Sequence, residues 1–374
     1  MKKQSKILSK LYDFAVGILF FAIAVGAIVL LSVTLLSGFF NPFEVILGLA
    51  GIMLLAYISI IVHEAGHLIF GLMSGYGFSS FRIGSLMWVK QDGKIRLRRF
   101  SLAGTGGQCL MVPKGESESR AQLITFNLGG VYANVILSCL FGLLYFLSLR
   151  VILLALVFLF GAIVSFFVAI TNGIPIALGG IANDGMNALH LSKNPDAAIA
   201  FRNQLLMNAA QTNGTSLEQM PDEWFELPEG ADMQNVHCAS IAVFRANRCF
   251  AAQEMLTAEN EIIRVLHSGY NIIGLHRSLL TLDLIYCRLV NDSDADISSL
   301  LTPELKKIMH AMRTFPAVIR TEYAIALLAE NDENKAAKIL EEFDKKTKNY
   351  PYQQDAAFER GLIFKALEIY KNRT

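Results

Sequence analysis

The stretch FEVILGLAGIMLLAYISIIVHEAGHLIFGLM, residues 43–73, decides how the chain is read. Its apolar run exceeds the roughly 20 helical residues needed to cross a ~30 Å hydrocarbon core. Yet it carries His63, Glu64 and His67 within five positions. On insertion scales each ionisable residue near the bilayer centre costs roughly 2.5–3.5 kcal/mol, so three together demand a compensating function. Their order is H-E-x-x-H. On a helix, positions i and i+4 share a face one turn apart, so His63 and His67 can reach one metal ion while Glu64 lies beside the remaining coordination position. Zinc suits imidazole nitrogen and carboxylate oxygen, and a catalytic site leaves one position for water, whose proton Glu64 would take.

Outward from this run, composition agrees with a membrane protein. Of 374 residues, 53% are apolar and 17% charged, with a mean hydropathy of +0.43. Residues 1–190 hold 13 Lys/Arg and 7 Asp/Glu, and residues 191–374 hold 20 and 25, so the second half is the polar one. A net charge of +1 excludes a nucleic-acid binder built on positive charge. Five widely spaced cysteines without a C-x-x-C pair exclude a disulfide scaffold.

Three further runs are long enough to span: Phe14–Leu36, Gln122–Leu147 and Val151–Pro175. Lys2, Lys3, Lys6 and Lys10 precede the first, which is too long for a signal-peptide core and reads as an uncleaved anchor. The positive-inside rule places the N-terminus, the loop 74–121 with its eight Lys/Arg, and the C-terminus in the cytoplasm. The expected fold class is an α-helical polytopic membrane protein: four transmembrane helices, a small cytoplasmic β-hairpin region and a C-terminal all-α cytoplasmic domain.

A third protein ligand must come from another segment. Asp184 is the leading candidate, because Pro175 and Gly179-Gly180 break the fourth run just before Asn183-Asp184-Gly185. Irregular backbone at membrane depth is tolerated only where it is buried in protein or lines a cavity. Glu44 and His190 compete: Glu44 stands about 30 Å of helix from His63, and His190 falls on the soluble side.

These residues resemble the site-2 protease family of intramembrane zinc metalloproteases. The resemblance covers about residues 45–190 and rests on His63-Glu64-Ala65-Gly66-His67, Gly129-Gly130-Val131-Tyr132-Ala133-Asn134 and Asn172-x-x-Pro175…Asp184-Gly185. It implies one zinc held by His63, His67 and Asp184, with Glu64 as catalytic base. Val131 stands where the family usually has Pro, and the gap from Pro175 to Asp184 is some four residues longer than its commonest form. Gly129, Gly130 and Ala133 suit close helix packing. Asn134 and Asn172 are candidates either for packing or for hydrogen-bonding the oxyanion or substrate.

In the loop, Phe81–Val89 and Ile95–Phe100 flank Gln91-Asp92-Gly93-Lys94, an Asp-Gly hairpin signal, with Ile95 and Leu97 on one face and Arg96 and Arg98 on the other. The apolar and basic faces suit either an anionic leaflet or, as the resemblance implies, pairing with an unwound substrate strand. Residues 195–374 read as helices near 195–211, 233–267, 271–290, 303–313, 316–330, 332–348 and 352–371, an α-solenoid or plain bundle able to bind a substrate tail or regulator.

The domains expected are thus 1–42, an N-terminal anchor; 43–194, the metalloprotease core including loop 74–121; and 195–374, a cytoplasmic helical domain. The expected activity is hydrolysis of a peptide bond in or beside the transmembrane segment of a membrane protein or peptide. The rival is a non-enzymatic membrane scaffold that binds partners through its helical half. The expected partners are a membrane-embedded substrate, the lipid bilayer and a protein at the C-terminal domain, without nucleic acid, and the expected location is a bacterial cell membrane.

Overall fold

The structure, a computed structural model, describes residues 37–100, 106–115, 117–178, 181–292 and 295–373, with Gly26, Val29, Ser32 and Val33. Apart from those four positions, the anchor expected over 14–36 lies outside the described residues. The chain divides into two compact units. One takes residues up to Gly77, Gly106–Cys109 and Lys114–Asn194; the other takes Phe78–Thr105, Leu110–Pro113 and Pro195 onward.

The first unit is built on α1 (Pro42–Met73), α3 (Gly129–Leu147) and α4 (Ile152–Gly173), the three described helices long and apolar enough to cross a membrane. Helix α1 starts at a capping box: the Glu44 amide donates to Asn41 Oδ1 at 3.0 Å, and the Asn41 amide donates to Glu44 Oε2 at 2.9 Å. Its 32 residues extend about 48 Å, more than a bilayer core requires. Outward side chains such as Met53, Leu54, Ile136, Leu143 and Phe146 are exposed, as on a lipid-facing surface, while Leu55, Leu137 and Phe141 form the inner core.

Lipid tails offer no hydrophobic gain for bringing helices together, so close backbone contact must do it. A Cβ on Gly66 would sit 2.6 Å from that of Ala133, and one on Gly129 would sit 2.7 Å from Gly66 O. The third expected crossing therefore starts later than Gln122. Residues Arg120–Asn127 form a separate short helix, α2, capped by Ser119 and Gln122, and Gln122 Nε2 donates to Ser74 O at the end of α1. The break at Leu128 sets Gly129 and Gly130 against α1. After α4, the short strands β5 (Ala177–Leu178) and β6 (Ile181–Ala182) pair and lead into α5 (Asp184–Lys193).

The strands β1 (Gly77–Ile83), β2 (Leu86–Gln91), β3 (Lys94–Arg99) and β4 (Gly107–Val112) form a sheet in the order β3-β2-β1-β4, most of it in the second unit. The expected hairpin stands: Gln91 pairs with Lys94 across Asp92 and Gly93, whose φ values of 50° and 74° suit a tight turn. The stretch 81–89, expected as one strand, is two, because Gly84 at φ 56° and Ser85 make a second turn with Ile83 opposite Leu86. Met87 and Val89 are fully buried beneath the sheet, whereas Ile95 and Leu97 stand exposed on the other face, with Leu97 opposite Trp88. The loop assigned by sequence to the membrane core thus places Phe78–Thr105 and Leu110–Pro113 in the helical unit. Gln91 Nε2 donates there to Thr212 O and Pro351 O, and Phe100 packs on Phe315, Tyr350 and Tyr352.

The helices of this unit are α6 (Pro195–Thr212), α7 (Val236–Ala251), α8 (Met255–His267), α9 (Gly274–Asn291), α10 (Pro303–Ala311), α11 (Pro316–Ala324), α12 (Glu333–Thr347) and α13 (Gln353–Arg373). The expected helix 233–267 is divided into α7 and α8 at Gln253, whose φ of 58° no α-helix accommodates. Helix α11 runs into a π-helical turn, Ile325–Ala329. Arg320 lies wholly buried at the centre, its Nε donating to Glu359 at 2.8 Å, its Nη2 paired with Asp283, and its guanidinium 4.8 Å from the Tyr286 ring. Burial pushes the Asp283 carboxyl up to about 6 although Arg320 opposes it.

Removing that one cation strands two buried carboxylates. Arg320→Met is expected to destabilise the protein by about 3–5 kcal/mol, read as a lower unfolding temperature of the detergent-solubilised chain. An unchanged transition would contradict the central role of this residue.

Candidate metal centre

Helix α1 presents His63 and His67 one turn apart on its inner face, and α5 brings Asp184 to them. Asp184 Oδ2 lies 3.0 Å from His63 Nε2 and 3.3 Å from His67 Nε2, and the two Nε2 atoms are 3.3 Å apart. Ligands about 2.0–2.1 Å from a tetrahedral ion stand about 3.3 Å from one another, so the triangle has the size that zinc requires. His67 Nδ1 lies 3.0 Å from Phe126 O, which accepts its proton and leaves the Nε2 lone pair directed at the other two atoms. His63 Nδ1 is buried without a hydrogen-bond partner among the described residues. These three are the one group of His, Cys, Asp and Glu among the described residues close enough to hold a metal ion.

Close packing sets the depth of the site. A Cβ on Gly130 would fall 2.6–2.8 Å from the His63 ring, so only glycine lets α3 pass there. A Cβ on Gly185 would meet the backbone of Gly173, which fixes the start of α5 against the end of α4.

Asn183 joins this junction with both ends of its amide. Its Oδ1 accepts from Met186 N at 2.9 Å and Ile176 N at 3.2 Å, and its Nδ2 donates to Thr171 O at 2.7 Å and Ile174 O at 2.6 Å. It is the N-cap of α5, and Asp184 follows it directly. Asn183 precedes Asp-Gly at a helix start, which is an N-cap signature.

Glu64 stands beside the ligand pair on α1. Gly107 passes so close that a Cβ there would be 2.8 Å from Glu64 Cδ and Oε1. Burial, aided by the charge of Glu64, pushes the nearby Cys109 thiol up to about 12. Nothing local in the sequence around Gly107 marks a strand that passes over a carboxylate.

The competing ligands are elsewhere. Glu44 closes the capping box of α1, and His190 is exposed on α5. The fully buried Asn134 donates to Ser59 O at 3.1 Å and Ser165 Oγ at 3.3 Å, so both amide hydrogens join α3 to α1 and α4. Asn172 Nδ2 donates to Val168 O within its own helix.

Residues 51–158 match the family model of peptidase family M50, the site-2 protease family. No curated protein and no solved structure matches the chain. The family match includes His63, Glu64 and His67 and ends before Asp184.

Asn183→Ala removes four hydrogen bonds behind Asp184 without touching a ligand atom. Loss of such support typically lowers metal affinity about 10–100-fold. The same drop is expected for Zn2+ by competition against a chelating dye, and an unchanged affinity would show that α5 holds Asp184 without it.

Proposed function

We propose, from the match of residues 51–158 to peptidase family M50, that the chain is a zinc metalloendopeptidase. It cuts a membrane protein or peptide in or beside its transmembrane segment. The observation that carries this reading is the triangle of His63, His67 and Asp184 at 3.0–3.3 Å beside Glu64, on a helix apolar enough to span a bilayer. His63 Nε2, His67 Nε2 and Asp184 Oδ2 would hold one zinc. When bound, it supplies Lewis acidity toward a water molecule and toward the scissile carbonyl.

Glu64 then has one proton to move. Its carboxylate takes the proton from the attacking water as the oxygen joins the carbonyl carbon, and it returns that proton to the amide nitrogen as the C–N bond breaks. A helical substrate hides its peptide groups, so the segment must unwind before the water can reach it. Asn172, at the end of α4, is the asparagine assigned to substrate support. Asn134 acts through Ser59 O, one turn before His63.

The remaining assignments belong to the same proposal. Residues 1–42 supply a fourth crossing, which brings both termini to the cytoplasmic side of a bacterial membrane. The helical half then serves as a docking domain for a protein partner.

Comparing membrane-protein fragments in cells with wild-type enzyme and Glu64→Gln tests the activity. The variant is expected to accumulate uncut substrate, with turnover lower by about 10²–10⁴, while keeping its zinc; His67→Ala loses both. Identical fragment patterns in wild type and Glu64→Gln would overturn the protease reading and favour the scaffold.

A further inference from the structure

Where α10, the π-helical turn and α12 meet in the second unit, there is a groove of about 670 Å³. It continues into a depression of about 350 Å³, the two sharing Lys306, Met309, Glu322 and Glu342. Its floor is apolar, formed by Leu301, Met309, Ile325 and Ile339. With the depression included, the border carries Lys306, Arg313, Lys335, Lys338 and Lys346 against Glu322, Glu330 and Glu342.

Two of the border lysines are neutralised locally, Lys335 by Glu330 at 2.5 Å and Lys346 by Glu342 at 2.7 Å. Lys306, Arg313 and Lys338 are exposed and make no ion pair among the described residues. The one further acid lining the groove, Glu322, is half-buried, and burial raises its carboxyl pKa. Three unpaired cations, against the one unpaired carboxyl of Glu322, therefore border an apolar floor.

The backbone is also irregular at this place. Glu330 N–H donates to Ile325 O at 3.0 Å and Asp332 N–H to Ala326 O at 2.9 Å, so the chain turns wider than an α-helix. Such π-turns occur often at functional sites, because the extra residue turns a side chain out of the regular stripe. Here Ile325 opens the turn and lines the groove.

We propose that this groove docks an acidic amphipathic helix of a protein partner, with its apolar side chains on Met309, Ile325 and Ile339 and its carboxylates on Lys306, Arg313 and Lys338. The volume holds a few side chains, the scale of helix-in-groove anchoring. The charge pattern selects sign as well as shape: a basic helix would bring like charges onto the same border. This proposal rests on the reading of the helical half as a docking domain and not on the metal site.

The test uses the full chain in detergent micelles and a fluorescent synthetic peptide with Leu and Glu at helical spacing, followed by anisotropy. Binding is expected, weaker at high salt and at least about tenfold weaker for Lys306→Glu with Arg313→Glu. Lys338→Glu, on the opposite helix, is expected to weaken it too, and Lys90→Glu on the sheet to leave it unchanged. If the double variant misfolds by circular dichroism, Lys338→Glu decides alone. No binding, equal binding of a Leu/Lys peptide, or no effect of these charge reversals would overturn the proposal. Charge-dependent capture of anionic vesicles without binding of the peptide would likewise overturn it in favour of a lipid surface. Substrate cleavage measured on the same preparations separates this failure from failure of the protease reading.

Discussion

Asp184 Oδ2 and the Nε2 atoms of His63 and His67 direct electron pairs at one point from 3.0–3.3 Å apart, inside a bundle whose apolar core is Leu55, Leu137 and Phe141. In a low dielectric, such an arrangement is costly unless a positive charge stands among the atoms. A shared proton relieves one pair of them; a divalent cation relieves all three. On the proposed reading this requirement dictates the surroundings. Phe126 O fixes the His67 tautomer, and Asn183 holds the start of α5 so that the carboxylate of Asp184 reaches the imidazoles.

The second requirement is that the helices stay packed in lipid, where apolar contact between them brings no gain over contact with lipid tails. Backbone approach at Gly66 and Gly129 answers it, and Asn134 adds hydrogen bonds to both neighbouring helices. These contacts sit within one turn of the ligand pair. The packing that holds the bundle is therefore the packing that positions the imidazoles.

Much of the site was legible because its chemistry is improbable in its setting: ionisable residues in an apolar helix announce themselves. The spacing of His63 and His67 needs only helix geometry, and the breakers before Asp184 make it the leading candidate for the third ligand over Glu44 and His190. Gly107 and Phe126 were not legible, since each acts through backbone placed by tertiary structure. Asn183 was within reach, because an N-cap reading is local. In the loop, Asp92-Gly93 marked one hairpin turn, while Gly84-Ser85 lacked so strong a signal and a second turn was read through. The burial of Arg320 had no local sign either. Its two acids come from α9 and α13, which are distant in sequence.

The central claim is that one zinc occupies the triangle with nitrogen and oxygen ligands alone. X-ray absorption at the zinc edge of the purified chain measures this directly. The account predicts one metal per chain, a first shell of nitrogen and oxygen at about 2.0–2.1 Å with the outer scattering of two imidazoles, and no sulfur at about 2.3 Å although Cys109 lies near Glu64. A sulfur contribution, or a chain that binds no zinc, would contradict it.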